Sequence, residues 1–168
     1  MSAETVVTAI FLITAVIAVG VLANAIMPVI STMGGTFSSS ANAADEKMRT
    51  DFKIVATLEN SDTGGYDIYM KNIGSQRISF QEINQSDVFC GVVGVKISRI
   101  TYTPNSVPEV EGEWAPEILP EIIPAGNSFW DPGETLAIYA KPNNIGDLNS
   151  FQFILPNGVW RSTEFVIT

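Results

Sequence analysis

A long run of residues without charge, near the start of the chain, constrains the fold more than any other feature. No Asp, Glu, Lys or Arg occurs between Glu4 and Asp45, and the apolar part of this run, Thr5–Met33, has 29 residues. As a helix it would extend about 43 Å, more than the roughly 30 Å hydrocarbon core of a bilayer. Its apolar side chains surround the whole circumference, as expected for lipid or a tight helix bundle. We therefore predict a transmembrane or filament-core helix within residues 1–50.

Five positions in this helix are candidate contacts with lipid or with other helices. Glu4 lies in the first turn, where the helix dipole favours a carboxylate, and in a filament it would meet a neighbour's N-terminal amine. Thr14 and Ala18 form a small-xxx-small pair that would let a second helix approach closely. Asn24 is polar at depth and Pro28 removes a backbone hydrogen bond, so we expect a kink or a partner contact there.

The composition argues against enzymatic chemistry and against binding to nucleic acid. The net charge is −9, and residues 45–168 hold 17 of the 18 acids and all nine bases, so phosphate backbones would be repelled. The chain has no histidine, which removes the commonest general base and the usual zinc ligand. Cys90 is the single cysteine and cannot form an internal disulfide. We predict no cofactor, no metal and no catalytic residue.

After Asp51 the apolar residues alternate with polar ones at the two-residue period of half-buried strands. Turn residues such as Pro156-Asn157-Gly158 separate the alternating runs. This pattern predicts an antiparallel β-sandwich over residues 51–168. A mixed α/β sheet would need crossover helices, and we find no amphipathic helix after residue 50. The predicted strands lie at 52–59, 66–70, 77–80, 87–93, 95–103, 134–141, 151–155 and 159–167.

Residues 104–128 interrupt this pattern with prolines and glutamates, which predicts an extended surface loop. The loop is either a solvated insertion or a docking surface for a partner. In the second reading the apolar side chains meet the partner and the acidic ones steer it. The candidate docking residues are Trp114, Glu109, Glu111, Glu113 and Ile118.

Three shorter motifs carry weaker chemical signals. Asn84-Gln85-Ser86 matches the Asn-x-Ser/Thr sequon, so Asn84 is a candidate for glycosylation on an extracellular loop. Asp131-Pro132-Gly133-Glu134 lacks the oxygen-rich loop of an EF-hand and is interpreted as a turn before a strand. Gly91-Val92-Val93-Gly94 lacks the Lys-Ser/Thr of a phosphate-binding loop, so we interpret it as a strand bend.

Three stretches together resemble a known family. They are Ser2-Ala3-Glu4-Thr5 at the head of the apolar helix, Lys71-Asn72-Ile73-Gly74-Ser75, and Trp130-Asp131-Pro132-Gly133-Glu134 before a strand. Their order over nearly the whole chain resembles the archaeal flagellin-like proteins, and within them the FlaG-type accessory proteins of the archaellum. The resemblance implies a type IV pilin-like helix followed by an immunoglobulin-like β-sandwich.

The resemblance also implies a function. Such a protein would be a non-enzymatic part of the archaellum stator, anchored in the cell membrane by a single helix. Its domain would lie outside the cytoplasmic membrane and would bind a FlaF-type partner, further copies of itself and the surface-layer protein. The alternatives are an archaellin- or pilin-like filament subunit and, in another class, a membrane-anchored extracellular enzyme or ligand-binding domain.

Two points stay open at this level. No Lys-Arg-Gly processing site precedes the apolar run, so the helix is either retained as an uncleaved anchor or belongs to a processed filament subunit. Lys47, Arg49 and Lys53 follow the helix, and the positive-inside rule alone would put the domain in the cytoplasm. Asp45, Glu46 and Asp51 interrupt these bases, and we expect an outside domain, as the resemblance implies.

Overall fold

The computed structural model describes residues 2–60, 64–118 and 128–166 of the chain. The chain divides into two compact units, Met1–Ala44 and Asp45–Thr168. In chain order the elements are α1 (Ala3–Arg49), β1 (Phe52–Asn60), β2 (Gly65–Asn72), β3 (Ile78–Ser79), α2 (Phe80–Asn84), β4 (Asp87–Val92), β5 (Lys96–Tyr102), β6 (Glu113–Ile118), β7 (Phe129–Trp130), β8 (Thr135–Lys141), β9 (Leu148–Ile154) and β10 (Trp160–Val166).

Helix α1 is one continuous helix, and every described residue in it is exposed. It runs through Pro28 and through Gly34-Gly35, so the neutral segment after Met33 continues the helix instead of forming a linker. Within the described residues, α1 is the helix whose length and composition would allow it to cross a membrane. The prediction of a long apolar N-terminal helix is confirmed.

The strands form an eight-stranded sheet in the order β1-β2-β8-β6-β5-β4-β9-β10, and β3 pairs separately with β7. The two halves of the large sheet are joined by a short pairing in which Thr101 and Tyr102 of β5 lie beside Glu113 and Trp114 of β6. This pairing is parallel, so the prediction of a wholly antiparallel sandwich is wrong at this position. The reason is that the loop after β5 returns the chain into β6 in the same direction. The other described pairings are antiparallel.

Aromatic side chains show that the two halves of the sheet pack face to face. The ring of Phe153 in β9 lies 5.6 Å from that of Phe52 in β1 and 6.1 Å from that of Trp114 in β6. Tyr66 of β2 and Phe165 of β10 have ring centroids 5.0 Å apart. None of these pairs lies on strands that are neighbours in the sheet, so the contacts cross a sandwich core. The mainly β domain predicted after the helix is therefore confirmed.

The prediction that residues 104–128 form a surface loop is wrong in its middle. Residues 113–118 form strand β6, which pairs with β8 along its length. Pro116 is compatible with this strand because β5 pairs only with the first two residues of β6, which leaves the other side of the strand open at the proline. Residues 119–127 lie outside the described part of the chain, as do residues 61–63.

A short helix was also missed. Helix α2 begins after Ser79, whose Oγ accepts a hydrogen bond from the Glu82 N–H at 3.2 Å while the Glu82 carboxylate accepts from the Ser79 N–H at 2.7 Å. This reciprocal arrangement is a capping box, and its Ser-x-x-Glu signature is visible in the sequence. The sequence contains no amphipathic crossover helix after residue 50, and this five-residue helix was not predicted from it.

The central position of Phe153 predicts a large loss of stability on truncation. Phe153→Ala removes a fully buried ring that contacts both layers, and such a change costs about 3–5 kcal/mol. Urea unfolding followed by tryptophan fluorescence measures it, since all three tryptophans belong to residues 45–168. Phe89→Ala is the matched control, because Phe89 is only half-buried and lies on the outer face of β4. Equal losses in the two variants would contradict this description of the core.

Candidate functional site

The surface of α1 is suited to apolar surroundings because its threonine hydroxyl groups are already hydrogen-bonded within the helix. Thr14 Oγ1 donates to the carbonyl oxygens of Ile10 and Phe11, at 3.0 and 2.9 Å. The other helix threonines bond in the same way to a carbonyl oxygen three or four residues earlier, at 2.6–3.0 Å; they are Thr5, Thr8, Thr32 and Thr36. Each of these threonines therefore brings no unpaired donor into lipid or into a bundle.

The five helix positions named from the sequence all lie on this exposed surface. Glu4 is in the first turn, and its carbonyl oxygen accepts the Thr8 hydroxyl at 2.8 Å. Thr14 and Ala18 lie one turn apart, which leaves a shallow small-residue surface on that side of the helix. Asn24 and Pro28 also lie one turn apart. Contacts of these five residues with lipid or with another chain remain predictions.

In the second unit, the buried side chain of Asn72 joins two turns. Asn72 Nδ2 donates to the carbonyl oxygens of Gln76 and Trp130, both at 3.0 Å, and Oδ1 accepts from the Gly74 N–H at 3.0 Å. Its side chain thus makes three hydrogen bonds without access to water. Buried amides satisfied in this way fix one geometry, because any shift leaves a polar atom unpaired.

The turn that Asn72 supports holds the end of α1. The carbonyl oxygen of Asp51 accepts from the N–H groups of residues 73 and 74, at 3.0 and 2.9 Å. That of Arg49 accepts from residues 75 and 76, at 2.9 and 3.1 Å. A Cβ atom at Gly74 would collide with the Arg49 carbonyl oxygen and the Asp51 nitrogen, so a residue without a side chain is required there. The turn thereby satisfies the Arg49 carbonyl at the C-terminus of the helix.

The second turn that Asn72 contacts is Trp130–Glu134. Trp130 Nε1 donates to the Glu134 carbonyl oxygen at 2.9 Å, and the Asp131 N–H donates to the Glu134 carboxylate at 2.7 Å. Gly133 has φ of +90°, which favours glycine. Asp131 also forms an ion pair with Arg77 at 3.0 Å. These residues form a turn before β8, as expected, and we refer to the two turns, Asn72 and residues 49–51 as the Asn72 network.

Two more contacts join the same segment to the β9–β10 turn. Asn157 Nδ2 donates to Thr50 Oγ1 at 3.2 Å, and Thr50 Oγ1 donates to the Glu46 carbonyl oxygen at 2.8 Å. Arg161 of β10 forms an ion pair with Asp51. Residues 46–51, which belong to the second unit, are therefore held by three other parts of that unit.

The candidate docking residues differ in how far the structure buries them. Trp114 is 1% exposed and packs in the core, so its assignment as a docking residue is wrong. The reason is that the loop predicted around it is strand β6, which points this ring inward. Glu109 and Glu111 are exposed, whereas Glu113 is half-buried in β6 opposite Lys141. The backbone of Ile118 ends β6, and its side chain lies outside the described part of the structure.

Carboxylates and tyrosines meet on the outer face of β2, β8 and β6. Tyr139 Oη donates to the Glu117 carboxylate, and Asn60 Nδ2 donates to both Asp67 oxygens, at 3.1 and 3.2 Å. Burial raises the pKa of Asp67 above its usual range, and the nearby Glu117 raises it further. Burial and the hydrogen bond to Glu117 also raise the pKa of Tyr139. No group of three or more metal-ligating His, Cys, Asp or Glu side chains occurs among the described residues.

Asn84 and Cys90 lie in protected positions. Asn84 is the last residue of α2 and half-buried, and Ser86 of its sequon is buried, with Oγ donating to the Glu82 carbonyl oxygen at 2.9 Å. Glycosylation of Asn84 remains a prediction. Cys90 is fully buried in the core, and burial raises the pKa of its thiol to about 12, so it stays protonated and unreactive at neutral pH.

Comparison with known proteins gives three findings. The profile of the archaeal-type flagellin family matches residues 2–165. An uncharacterised protein of Archaeoglobus fulgidus is 25% identical over 98% of this chain and 99% of its own length. Among solved structures, the archaellum periplasmic stator protein FlaG of Sulfolobus acidocaldarius covers 69% of this chain and 99% of its own, with a TM-score of 0.50 and 21% identity. The archaeal flagellum of Methanospirillum hungatei covers 96% of this chain and 93% of its own, with a TM-score of 0.60 and 10% identity.

An uncovered apolar helix followed by a β-sandwich, with the helix end held by hydrogen bonds, defines a class of anchored or assembling structural proteins. The family match is specific within that class: the chain belongs to the archaeal-type flagellin family. It is thus an archaellum-related structural protein, and its family is one of structural proteins and not of enzymes. The two solved structures share its fold.

The Asn72 network predicts that Asn72→Ala loosens the end of α1. The change removes the donor to the carbonyl oxygens of Gln76 and Trp130 in a buried site, at about 1–3 kcal/mol for each, whereas the Gly74 N–H keeps its bond to the Asp51 carbonyl oxygen. We expect amide hydrogen exchange to accelerate at residues 73–76 before it does so in β4 and β9. Asn144→Ala, at an exposed position, is the control and should leave exchange unchanged. Unaltered protection at residues 73–76 in Asn72→Ala would rule out this role.

The raised pKa of Asp67 predicts a stability that depends on pH. The folded protein binds a proton on Asp67 more tightly than the unfolded chain does. Protonated Asp67 therefore stabilises the fold below the unfolded pKa of 3.8, and this stabilisation is lost as the pH rises through the raised pKa of the folded state. Asp67→Asn should therefore gain stability relative to the wild type between about pH 4 and 7. Asp147→Asn, at an exposed position, is the control. The measurement is the urea midpoint of each variant across this pH range. Equal shifts of the midpoint in Asp67→Asn and Asp147→Asn would contradict the raised pKa of Asp67.

Proposed function

We propose that this protein is a membrane-anchored, non-enzymatic component of the archaellum stator, with its β-sandwich outside the cytoplasmic membrane. The single observation that carries the proposal is α1, an apolar helix with every described residue exposed and its threonine hydroxyls bonded internally. Water is a poor solvent for such a surface, whereas lipid is a good one.

The dimensions of α1 fit an anchor followed by a stalk. The apolar part Thr5–Met33 spans about 43 Å and exceeds the roughly 30 Å hydrocarbon core, so it would cross the bilayer with tilt or with some turns in the headgroup layer. Residues 34–44 add about 16 Å of small, neutral helix. Glu4, at the far end, would stay at the opposite interface, where a carboxylate costs little.

An outside position of the domain is supported by its likeness to the solved FlaG structure, which is named a periplasmic stator protein. Most of the net charge of −9 belongs to residues 45–168, which favours solubility in an aqueous compartment. The exposed Glu109 and Glu111 would steer a partner with a basic surface, and we propose a FlaF-type or surface-layer protein as that partner.

A protease-protection experiment tests the position of the domain. Lys47, Arg49 and Lys53 are exposed trypsin sites at the boundary between α1 and the sandwich. Trypsin added to intact cells should remove the domain and leave the helix in the membrane. A domain that resists trypsin on intact cells but is cut after lysis would place it in the cytoplasm.

A filament subunit is the second candidate, and the length of α1 favours it. The helix has 47 residues and extends about 70 Å, more than twice the hydrocarbon thickness, and it is uncharged over most of that length. Helices of this kind can pack together in a filament core instead of in lipid. Glu4 would then pair with an N-terminal amine of a neighbouring copy.

Membrane extraction of matched variants separates the two candidates. If the protein is a stator anchor, the full chain should stay in the membrane after alkaline carbonate washing. The Glu4→Gln variant should stay there too, because a neutral residue at the interface costs less free energy than a charged one. A chain of residues 34–168 should be released. A filament subunit would instead lose assembly in Glu4→Gln, since a buried amine would lack its partner.

The controls are chosen within the same helix. Val19→Arg places a charge in the middle of the apolar run and costs about 2.5–3.5 kcal/mol for insertion, so it should weaken retention. Thr36→Arg lies in the neutral stalk and should not. Release of the full-length wild-type chain by carbonate would overturn the anchor proposal.

A further inference from the structure

The stalk of α1, which we define as residues 34–44, has a composition that disfavours the helix it forms. Its sequence is Gly-Gly-Thr-Phe-Ser-Ser-Ser-Ala-Asn-Ala-Ala, so the three alanines are its only strong helix formers. Serine, threonine and asparagine side chains compete with the helix for backbone hydrogen bonds, and glycine has the most backbone entropy to lose. Local propensity therefore does not explain why this segment is helical.

The two stalk glycines are required neither by the backbone nor by packing. Neither Gly34 nor Gly35 has a positive φ, and a Cβ atom at either position would have nothing within 4 Å among the described residues. Gly74 is the opposite case, since a Cβ atom there would collide with the Arg49 carbonyl oxygen. Each stalk glycine lowers the local helix equilibrium about fivefold relative to alanine, and no contact compensates for this loss.

Neither ion pairs nor packing stabilise the stalk. It contains no charged residue, so its side chains form no i,i+4 ion pair, and every one of its residues is exposed. Helices in proteins owe most of their stability to the packing of one face against the rest of the fold. A helix without such packing opens locally at a low free energy, and amide hydrogen exchange detects this opening.

The segments before and after the stalk are held more firmly. Under the proposed anchoring, Thr5–Met33 lies in lipid, where no water competes for its backbone hydrogen bonds. After the stalk, the carbonyl oxygens of Arg49 and Asp51 accept hydrogen bonds from the N–H groups of residues 73–76. The stalk is therefore the part of α1 that opens most easily.

We infer that the stalk is an extensible joint, a helix that opens when the sandwich is pulled away from the membrane and forms again when the load falls. The inference rests on the proposed membrane anchoring, because a chain free in solution carries no load. As a helix the stalk extends about 16 Å, and fully extended it would span about 36–40 Å, so opening adds about 20 Å. Such a joint lets an anchored protein yield to tension while its lipid anchor and its folded domain stay intact.

Amide hydrogen exchange of the full chain in phosphatidylcholine vesicles tests whether the stalk opens. In the wild type, exchange at residues 37–44 should be faster than at residues 10–30 and faster than in strands β8 and β9. The double variant Gly34→Ala/Gly35→Ala should slow exchange at residues 37–44 about 25-fold, since each alanine raises the helix equilibrium about fivefold. Gly20→Ala, in the apolar part of α1, is the matched control and should leave exchange at residues 37–44 unchanged.

Single-molecule pulling on the chain in a bilayer disc tests the extension. A handle on Lys53→Cys, at an exposed position near the start of β1, loads the stalk and leaves strands β2–β10 outside the path of the force. Cys90 is buried and does not take the handle. The wild type should lengthen reversibly by about 20 Å at a force that the double alanine variant withstands.

The outcomes separate this inference from the proposed function. Fast exchange that slows in the double alanine variant, together with the reversible extension, is the expected result. Stalk exchange as slow as in β8, equal exchange in the wild type and the double variant, or no extension before the helix leaves the disc would each overturn the inference. Alkaline carbonate washing of the same vesicles measures anchoring separately. Chain that washes off contradicts the proposed function and the inference with it, whereas retained chain with a stalk that does not open contradicts the inference alone.

Discussion

The cost of exposing helix α1 to water is the constraint on which the rest of the protein depends. Sixteen large apolar side chains from Val6 to Met33 are exposed on it. At about 1.5 kcal/mol for each, their transfer out of water is worth about 24 kcal/mol, more than the roughly 5–15 kcal/mol that stabilises a typical domain. Surroundings of lipid or of other helices are therefore obligatory for this chain. This requirement is common to the anchor and to the filament subunit.

The second unit is built to hold the end of that helix. Asn72 supports the turn whose amides bind the carbonyl oxygens of Arg49 and Asp51, while Asn157 of the β9–β10 turn and Arg161 of β10 contact the same segment. These bonds use backbone groups that a helix end leaves unsatisfied.

Sequence reasoning predicts the parts of this protein whose signals are local and repeated. The apolar run identifies α1, and the two-residue alternation identifies most strands of the sandwich. Strand β6 was missed because Pro116 and its glutamates have the composition of a loop, and only pairing with β8 makes it a strand. For the same reason the sequence predicts a docking residue at Trp114, although its side chain packs in the core. The capping box at Ser79 was a readable signal. The role of Asn72 could not be predicted from the sequence, because its hydrogen-bond partners lie up to 58 residues away.

The central claim is that apolar surroundings cover the whole circumference of α1. Spin labels on single cysteines placed at consecutive positions 16–23 test it most directly, and the buried Cys90 does not take the label. The account predicts low accessibility to a water-soluble nickel reagent at all eight positions, without helical periodicity. High nickel accessibility that recurs about every 3.6 residues would show a face in contact with water and would contradict the account.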